Sequence, residues 1–267
     1  MSAEMMAWSW LLAPLTASLL ITLALVPLGI TVLQRGVVFA DLAIAQWAAL
    51  GALIGGTASL TLAGLPLTAL AAALVCVALV HTLVRNQPRH REALIGLLYV
   101  LGASLATLVV SQDPHGAQRL AQTLDGDLLW TTTGQLPALA LMALLVQLWQ
   151  HGLNHNWQQR LFLPLFAVAV AVAVTLAGIY VVFVSLIATP LVACARHGRS
   201  GGAVVTCLAG HALGLALSAT LDLPAGTCVV LATLAMASLW WLIGLRASVA
   251  SDHPAAGHQT TGTSSPR

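Results

Sequence analysis

The sequence predicts an all-α, polytopic membrane protein with about nine transmembrane helices. Of its 267 residues, 59% are hydrophobic and only 7% are charged, whereas a soluble domain carries roughly a quarter charged residues. Several uncharged stretches exceed the roughly 20 residues that cross a bilayer as a helix. These stretches do not alternate polar and apolar residues, so they favour helices over a closed barrel.

Seven uncharged segments contain the predicted spans, and two of them are too long for one crossing. The segment 42–84 is interrupted by glycine and proline between Gly55 and Pro66, which disfavour a helix interior. The segment 161–195 would extend about 52 Å as one helix, so we expect it to fold back between Gly178 and Ser185. The count is therefore nine. The segments are Trp10–Leu33, Leu42–Val84, Ala93–Ser111, Leu128–Trp149, Leu161–Ala195, Ala203–Leu221 and Pro224–Leu245.

Charge placement predicts the orientation. The net charge of +2 comes from ten arginines and no lysine, and positive residues concentrate in short cytoplasmic loops. With an external N-terminus, Arg119 lies outside and every other arginine lies inside, so the C-terminus is cytoplasmic. We expect a transmembrane domain over residues 1–246 and a disordered cytoplasmic tail over 247–267, which is rich in Ser, Thr, Gly and Pro. The internal arginines are Arg35, Arg85, Arg89, Arg91, Arg160, Arg196, Arg199, Arg246 and Arg267.

Motifs for enzymatic chemistry are missing from the sequence. It contains no Walker A sequence, no H-E-x-x-H and no G-x-S-x-G. We therefore predict that the chain is not an enzyme and that any ATP is bound by a separate chain. The four cysteines have no C-x-x-C spacing and lie in apolar runs, which is typical of small core residues.

Polar residues inside lipid are costly, so each is a candidate for function. His211 lies midway along a predicted span, where an imidazole serves either as a metal ligand or as a hydrogen-bond donor between helices. Asp41 opens the second span, either as an N-cap or as an oxygen ligand at the edge of a transport pathway. Gln46 lies about 140° around the helix from Asp41 and is a candidate pathway residue.

Four separated motifs resemble one family of transporters. The stretch 27–56, PLGITVLQRGVVFADLAIAQWAALGALIGG, has a glycine and an aromatic residue before a helix that Asp41 leads. It is followed by YVLGASLATLVVSQ with LDGDLLWTT, by YVVFVSLIATPLVACA, and by LSATLDLPAGTCVVLATL. Together these motifs resemble the zinc and manganese ABC permeases over residues 29–242.

The resemblance implies a function, partners and sites. It implies the membrane subunit of an ATP-driven importer of zinc or manganese in the bacterial cytoplasmic (inner) membrane. The metal is then transported cargo, and no cofactor is bound permanently. Expected partners are a second copy of the chain, an ATP-binding subunit and an extracytoplasmic metal-binding protein. The implied metal residue is Asp41, to which we add His211, and Arg160 in the polar loop 150–160 is our candidate for the ATPase contact.

Two other functions remain open. Family members place a His four residues after the Asp, but this chain has Ala45 there, followed by Gln46 and Trp47. Gln and Trp favour a bulkier or neutral cargo, so the second hypothesis is an ABC permease for a metal chelate or another small solute. The third is a haem-binding membrane subunit, which needs facing imidazoles; the candidates are His211 and His81.

Overall fold

Helices form nearly all of the chain that the computed structural model describes, namely residues 11–36, 39–55, 61–62, 65–86, 88–126, 128–195 and 200–251. The β structure in these ranges is one antiparallel pair of two-residue strands, β1 (Thr61–Leu62) and β2 (Leu65–Pro66). Short 3-10 turns cover Pro88–His90 and Leu128–Trp130. The helices are α1 (Leu12–Arg35), α2 (Ala40–Gly55), α3 (Leu67–Asn86), α4 (Arg91–Val110), α5 (Gly116–Asp125), α6 (Leu136–Gly152), α7 (His155–Ala195), α8 (Ser200–Leu221) and α9 (Ala225–Ser251).

Helix α7 reverses direction at Gly178, where φ is 81° and ψ is 164°. The Arg35 guanidinium, at the end of α1, lies 4.0 Å from the centroid of the Phe162 ring in the first half of α7. A Cβ on Gly29, less than two turns earlier, would lie 2.9 Å from Pro190 in the second half. Phe162 and Pro190 would be about 42 Å apart in a straight helix. The two halves therefore run antiparallel, as the sequence predicted.

The predicted all-α membrane fold is confirmed. Among the described residues, six helices are long and apolar enough to cross a membrane: α1, α3, α4, α7, α8 and α9. Helices α2 and α6 are also apolar but shorter. Counting α7 twice, because of its reversal, these eight apolar helices supply nine helical segments, which is roughly consistent with the nine predicted spans.

Helix α5 is an element that the sequence reading missed. We read residues 112–127 as an external loop, but Gly116–Asp125 forms a short helix. Its apolar residues recur at helical spacing. Its polar residues include Arg119, which forms an ion pair of 3.0 Å with Asp113. At ten residues it is too short to cross a bilayer. The apolar positions are Ala117, Leu120, Ala121 and Leu124.

Close helix packing depends on small residues. Gly210 and Gly214 of α8 lie directly against Thr233 and Val229 of α9, and a Cβ on either glycine would overlap that helix. Such contacts let transmembrane helices approach closely, since lipid provides little hydrophobic drive between them. Helices α8 and α9 therefore form one tightly packed pair.

Arginines gather at one end of the bundle. Arg35 and Arg85 line one cavity beside Phe162, and Arg91 Nη2 lies 3.0 Å from the Cβ position of Gly36. Arg119 lines a different cavity, beside Val174–Leu176 near the α7 reversal. Arg119 is thus at the end of the bundle opposite to Arg35 and Arg85. The predicted orientation, with Arg119 outside and the other arginines inside, requires this separation. Arg196, Arg199 and Arg267 lie outside the described residues.

The predicted tail overlaps the last helix. Helix α9 continues to Ser251, so residues 247–251 belong to it. Residues 252–267 lie outside the described part of the chain. The domain boundary after residue 246 and the disorder of the tail stay predictions.

Candidate metal pathway

Asp41 is buried in the first turn of α2, with 1% of its surface exposed. Helix α2 begins at Ala40, so Asp41 lies inside the helix and not at the N-cap position. One carboxylate oxygen, Oδ1, accepts the backbone N–H of Leu42 at 2.8 Å. The other oxygen, Oδ2, is buried and has no hydrogen-bond partner among the described residues. A buried carboxylate oxygen without a partner is costly, and this oxygen is free to meet a cation.

Gln46 lies at the contact between α2 and α4. Its side chain is buried, and its Cγ lies 3.3 Å from the Cβ position of Gly102. The neighbouring Trp47 packs against the same glycine and donates its indole N–H to the carbonyl of Leu98 at 3.0 Å. Trp47 is partly buried, and it packs against α4 as aromatic residues in helix contacts usually do.

His211 is fully buried on α8. Its Nε2 lies 3.0 Å from the hydroxyl of Ser185, in the second half of α7, and 3.7 Å from the sulfur of Cys207. Its Nδ1 is also buried, and no described residue forms a hydrogen bond with it. The imidazole therefore joins α8 to α7 and also keeps one nitrogen uncommitted.

The structure does not bring Asp41 and His211 together. Ala40 lines a cavity with Arg35 at the end of α1, which places Asp41 near that end. Cys207, one turn before His211, meets Thr22, thirteen residues before Arg35 on α1. At 1.5 Å per residue, this corresponds to about 20 Å along the axis of α1. The two residues therefore do not ligate one ion in this conformation.

The two histidines considered as haem ligands, His81 and His211, also lie at different depths in the bundle. His81 is exposed and lines the cavity that contains Arg35, so it lies at the depth of Asp41 and not beside His211. Within the described ranges, no group of three or more His, Cys, Asp or Glu residues could hold a metal ion. Any metal held by these residues needs further ligands, such as hydroxyl groups, water or a second chain.

Glu92 is a residue that the sequence reading did not consider. It lies in the first turn of α4, directly after Arg91, and its buried Oε2 has no hydrogen-bond partner in the described part of the chain. It therefore shares with Asp41 both an unpartnered carboxylate oxygen and the end of the bundle where the arginines gather. An acidic residue next to an arginine, in a chain with only 7% charged residues, was the available signal.

Arg160 is exposed in the second turn of α7. The predicted polar loop around it is mostly helical, because only Leu153 and Asn154 separate α6 from α7. The side-chain amide of Gln158 donates to the carbonyls of Trp149 and Gln150, at 3.2 and 3.0 Å. The Trp149 indole N–H donates in return to the Gln158 carbonyl at 3.0 Å. These bonds satisfy carbonyls that the end of a helix leaves free, so the polar side chains make a fixed corner instead of a loop.

A polar cavity of about 520 Å³ opens at the end of the bundle that contains Arg119. It is bounded by α2, α5, the segment before α6 and the first half of α7. Such a volume lies in the usual range for small-molecule sites. Its polar lining residues are Arg119, Gln122, Thr123, Gln135 and Thr175.

Comparison with known proteins agrees with this architecture. A chain of PsaBC from Streptococcus pneumoniae in complex with Fab superposes with a TM-score of 0.71 at 15% sequence identity, and the match covers 92% of this chain and 95% of that one. No curated protein matches this sequence significantly. The profile of the ABC 3 transport family matches residues 7–151 and 149–243. Since these matches span most of the sequence, the chain belongs to the ABC 3 transport family, whose members are membrane subunits of ABC transporters that work with a separate ATP-binding subunit.

Proposed function

We propose that the chain is the permease subunit of an ATP-driven importer for a transition-metal ion, zinc or manganese. The observation that carries the proposal is Asp41, which presents a buried and unpartnered carboxylate oxygen at the start of α2 in a chain of this family. A cation is the partner that such an oxygen needs in a medium of low dielectric constant.

The assembly that we propose contains two copies of the chain and two ATP-binding subunits. It receives the metal from an extracytoplasmic binding protein at the end that contains Arg119. The ATP-binding subunits meet the opposite end, at the corner between α6 and α7 that contains Arg160. Support comes from the exposure of Arg160 and from the separation of Arg119 from Arg35 and Arg85.

Reconstitution of the permease with its ATP-binding subunit in proteoliposomes tests the proposal. With binding protein loaded with radioactive zinc or manganese, we expect uptake that requires ATP. Vesicles that contain ATP and a permease with Asp41→Ala should take up less than a tenth of that metal. ATP-independent uptake, or equal uptake by the variant, would contradict the proposal.

A second candidate is a permease for a metal chelate or another small solute. The polar cavity of about 520 Å³ favours it, because a bare ion needs far less room. Against it, Trp47 is bonded to α4 and does not line this cavity. Uptake of free metal and of the same metal held by a small chelator separates the two candidates, since only a chelate permease should take up the chelated form faster.

A further inference from the structure

A buried polar cluster lies where α1, the second half of α7 and α8 meet. Its members are Thr22, Ser185, Thr189, Cys207 and His211, and each has 0% of its surface exposed. Cys207 and His211 are four residues apart on α8, so their side chains lie on the same face, one turn above the other. Side chains from three helices thus place one sulfur, one imidazole and three hydroxyl groups close to one another.

The distances within the cluster are short. His211 Nε2 lies 3.7 Å from Cys207 Sγ and 3.0 Å from Ser185 Oγ. The Thr22 hydroxyl lies 3.8 Å from the same sulfur. Thr189 also lies beside the sulfur, and its hydroxyl oxygen has no partner in regular hydrogen-bond geometry among the described residues.

The separation of sulfur and nitrogen matches that of two ligands on one metal ion. Zinc binds thiolate at about 2.3 Å and imidazole at about 2.0 to 2.1 Å in tetrahedral geometry. A tetrahedral angle between bonds of these lengths places the two donor atoms about 3.6 Å apart. The observed 3.7 Å between Cys207 Sγ and His211 Nε2 is close to that value.

Hydrogen bonds alone leave this region incompletely satisfied. Among the described residues, the buried Thr189 hydroxyl has no partner in hydrogen-bond geometry. In a bilayer such groups are expensive. A metal ion at the cluster would give the Thr189 hydroxyl a ligand role beside the sulfur that it faces.

We propose that Cys207 and His211 form a buried binding site for a thiophilic divalent metal ion, with hydroxyl groups of the cluster completing the coordination. The inference rests on the proposed function in supposing that a transition metal reaches the interior of this chain. Thiolate and imidazole select zinc and similar ions, whereas manganese prefers oxygen ligands. On binding, the Cys207 S–H bond breaks, a sulfur–metal bond forms, and the thiol proton leaves to water.

Cobalt(II) titration of the purified permease in detergent or nanodiscs tests the site. We expect a thiolate-to-cobalt charge-transfer band and the visible bands of tetrahedral cobalt. Cys207→Ser should abolish the charge-transfer band, and His211→Gln should weaken binding by roughly tenfold or more, since even outer-sphere partners of a metal are worth 10- to 100-fold. Zinc should displace the cobalt at a far lower concentration than manganese does.

Cys76→Ser is the matched control, because Cys76 is equally buried but lies on α3. It should retain the full charge-transfer band. A band that is missing from the unaltered protein, or that survives Cys207→Ser, would overturn the proposal and leave the cluster as a set of helix-to-helix hydrogen bonds. If Cys207→Ser does not elute as a folded protein in size-exclusion chromatography, the cobalt affinity of His211→Gln decides instead. A loss of roughly tenfold or more supports the site, and an unchanged affinity overturns it.

Zinc uptake by the reconstituted importer separates this inference from the proposed function. Uptake that continues without any cobalt–thiolate band would disprove the Cys207 site and keep the importer. A Cys207-dependent band in a complex that moves no metal would keep the site and disprove the importer.

Discussion

The backbone of Gly178 lies against the backbone of Gly126, so that a Cβ atom on either glycine would overlap the main chain of the other segment. Both residues have positive φ, 81° and 70°, which side-chain-bearing residues rarely adopt. This contact holds the residues at which α7 reverses direction against the C-terminal end of α5. Two glycines thus permit the chain to turn back where the length of the apolar segment requires it.

Gly178→Ala should destabilise the protein. The backbone conformation alone costs an alanine about 1 to 3 kcal/mol, and the overlap with Gly126 adds to that cost. We expect a lower midpoint of thermal unfolding in size-exclusion assays of the detergent-solubilised chain. Gly96→Ala is the control, because nothing lies within 4 Å of its Cβ position. Equal midpoints for the two variants would show that the contact is not a constraint.

Asp41→Asn should abolish metal uptake while leaving the helix intact. An asparagine oxygen can still accept the N–H of Leu42, but it lacks the charge that a cation needs. Uptake by the reconstituted importer and the yield of folded protein are the two measurements. Asp113→Asn, which removes a carboxylate from an exposed ion pair with Arg119, is the control and should transport normally. Normal transport by Asp41→Asn would assign Asp41 to helix stabilisation alone.

The two ends of the bundle should face opposite sides of the membrane. A single cysteine introduced at Arg160, in a chain whose four cysteines are replaced by Ala, should react with a membrane-impermeant maleimide only after cells are opened. A cysteine at His115 should react in intact cells, since it lies next to α5 at the end that contains Arg119. Labelling at His115 that requires opened cells would reverse the predicted orientation and place the C-terminus outside.

Arg160→Glu should weaken binding of the ATP-binding subunit. The side chain is exposed on a fixed corner, so a reversed charge should lower copurification at least several-fold without unfolding the permease. Arg119→Glu, at the opposite end, should leave copurification unchanged. The ratio of the two subunits after affinity purification measures the effect. An unchanged ratio for Arg160→Glu would show that the ATP-binding subunit does not contact Arg160.

Sequence reasoning reached most of the fold because the bilayer imposes length on each span. The reversal near Gly178 could be predicted since one helix over 161–195 would be far longer than the bilayer is thick. Helix α5 was missed because a ten-residue polar helix does not give a span-length signal, although Ala117, Leu120 and Leu124 recur with a helical period.

The candidate sites were less predictable. His211 lies inside an uncharged segment, so its burial could be expected. Asp41 precedes such a segment, and its burial depends on how the helices pack. The separation of the two residues by about 20 Å along α1 depends on which helices pack together, and no local pattern encodes that. The four-residue spacing of Cys207 and His211 can be seen in the sequence. The residues that surround the pair come from other helices, so they are known only from the structure.

The corner between α6 and α7 is mechanically stiff. The Gln158 side chain donates to the carbonyls of Trp149 and Gln150, and the Trp149 indole donates to the Gln158 carbonyl, so three hydrogen bonds tie the two helices together. The Trp149 ring lies 5.9 Å from that of Phe162, which stacks on Phe166 and lies beneath the Arg35 guanidinium of α1. Because no flexible loop separates α6 from α7, a force applied at this corner would move α1 and α7 together.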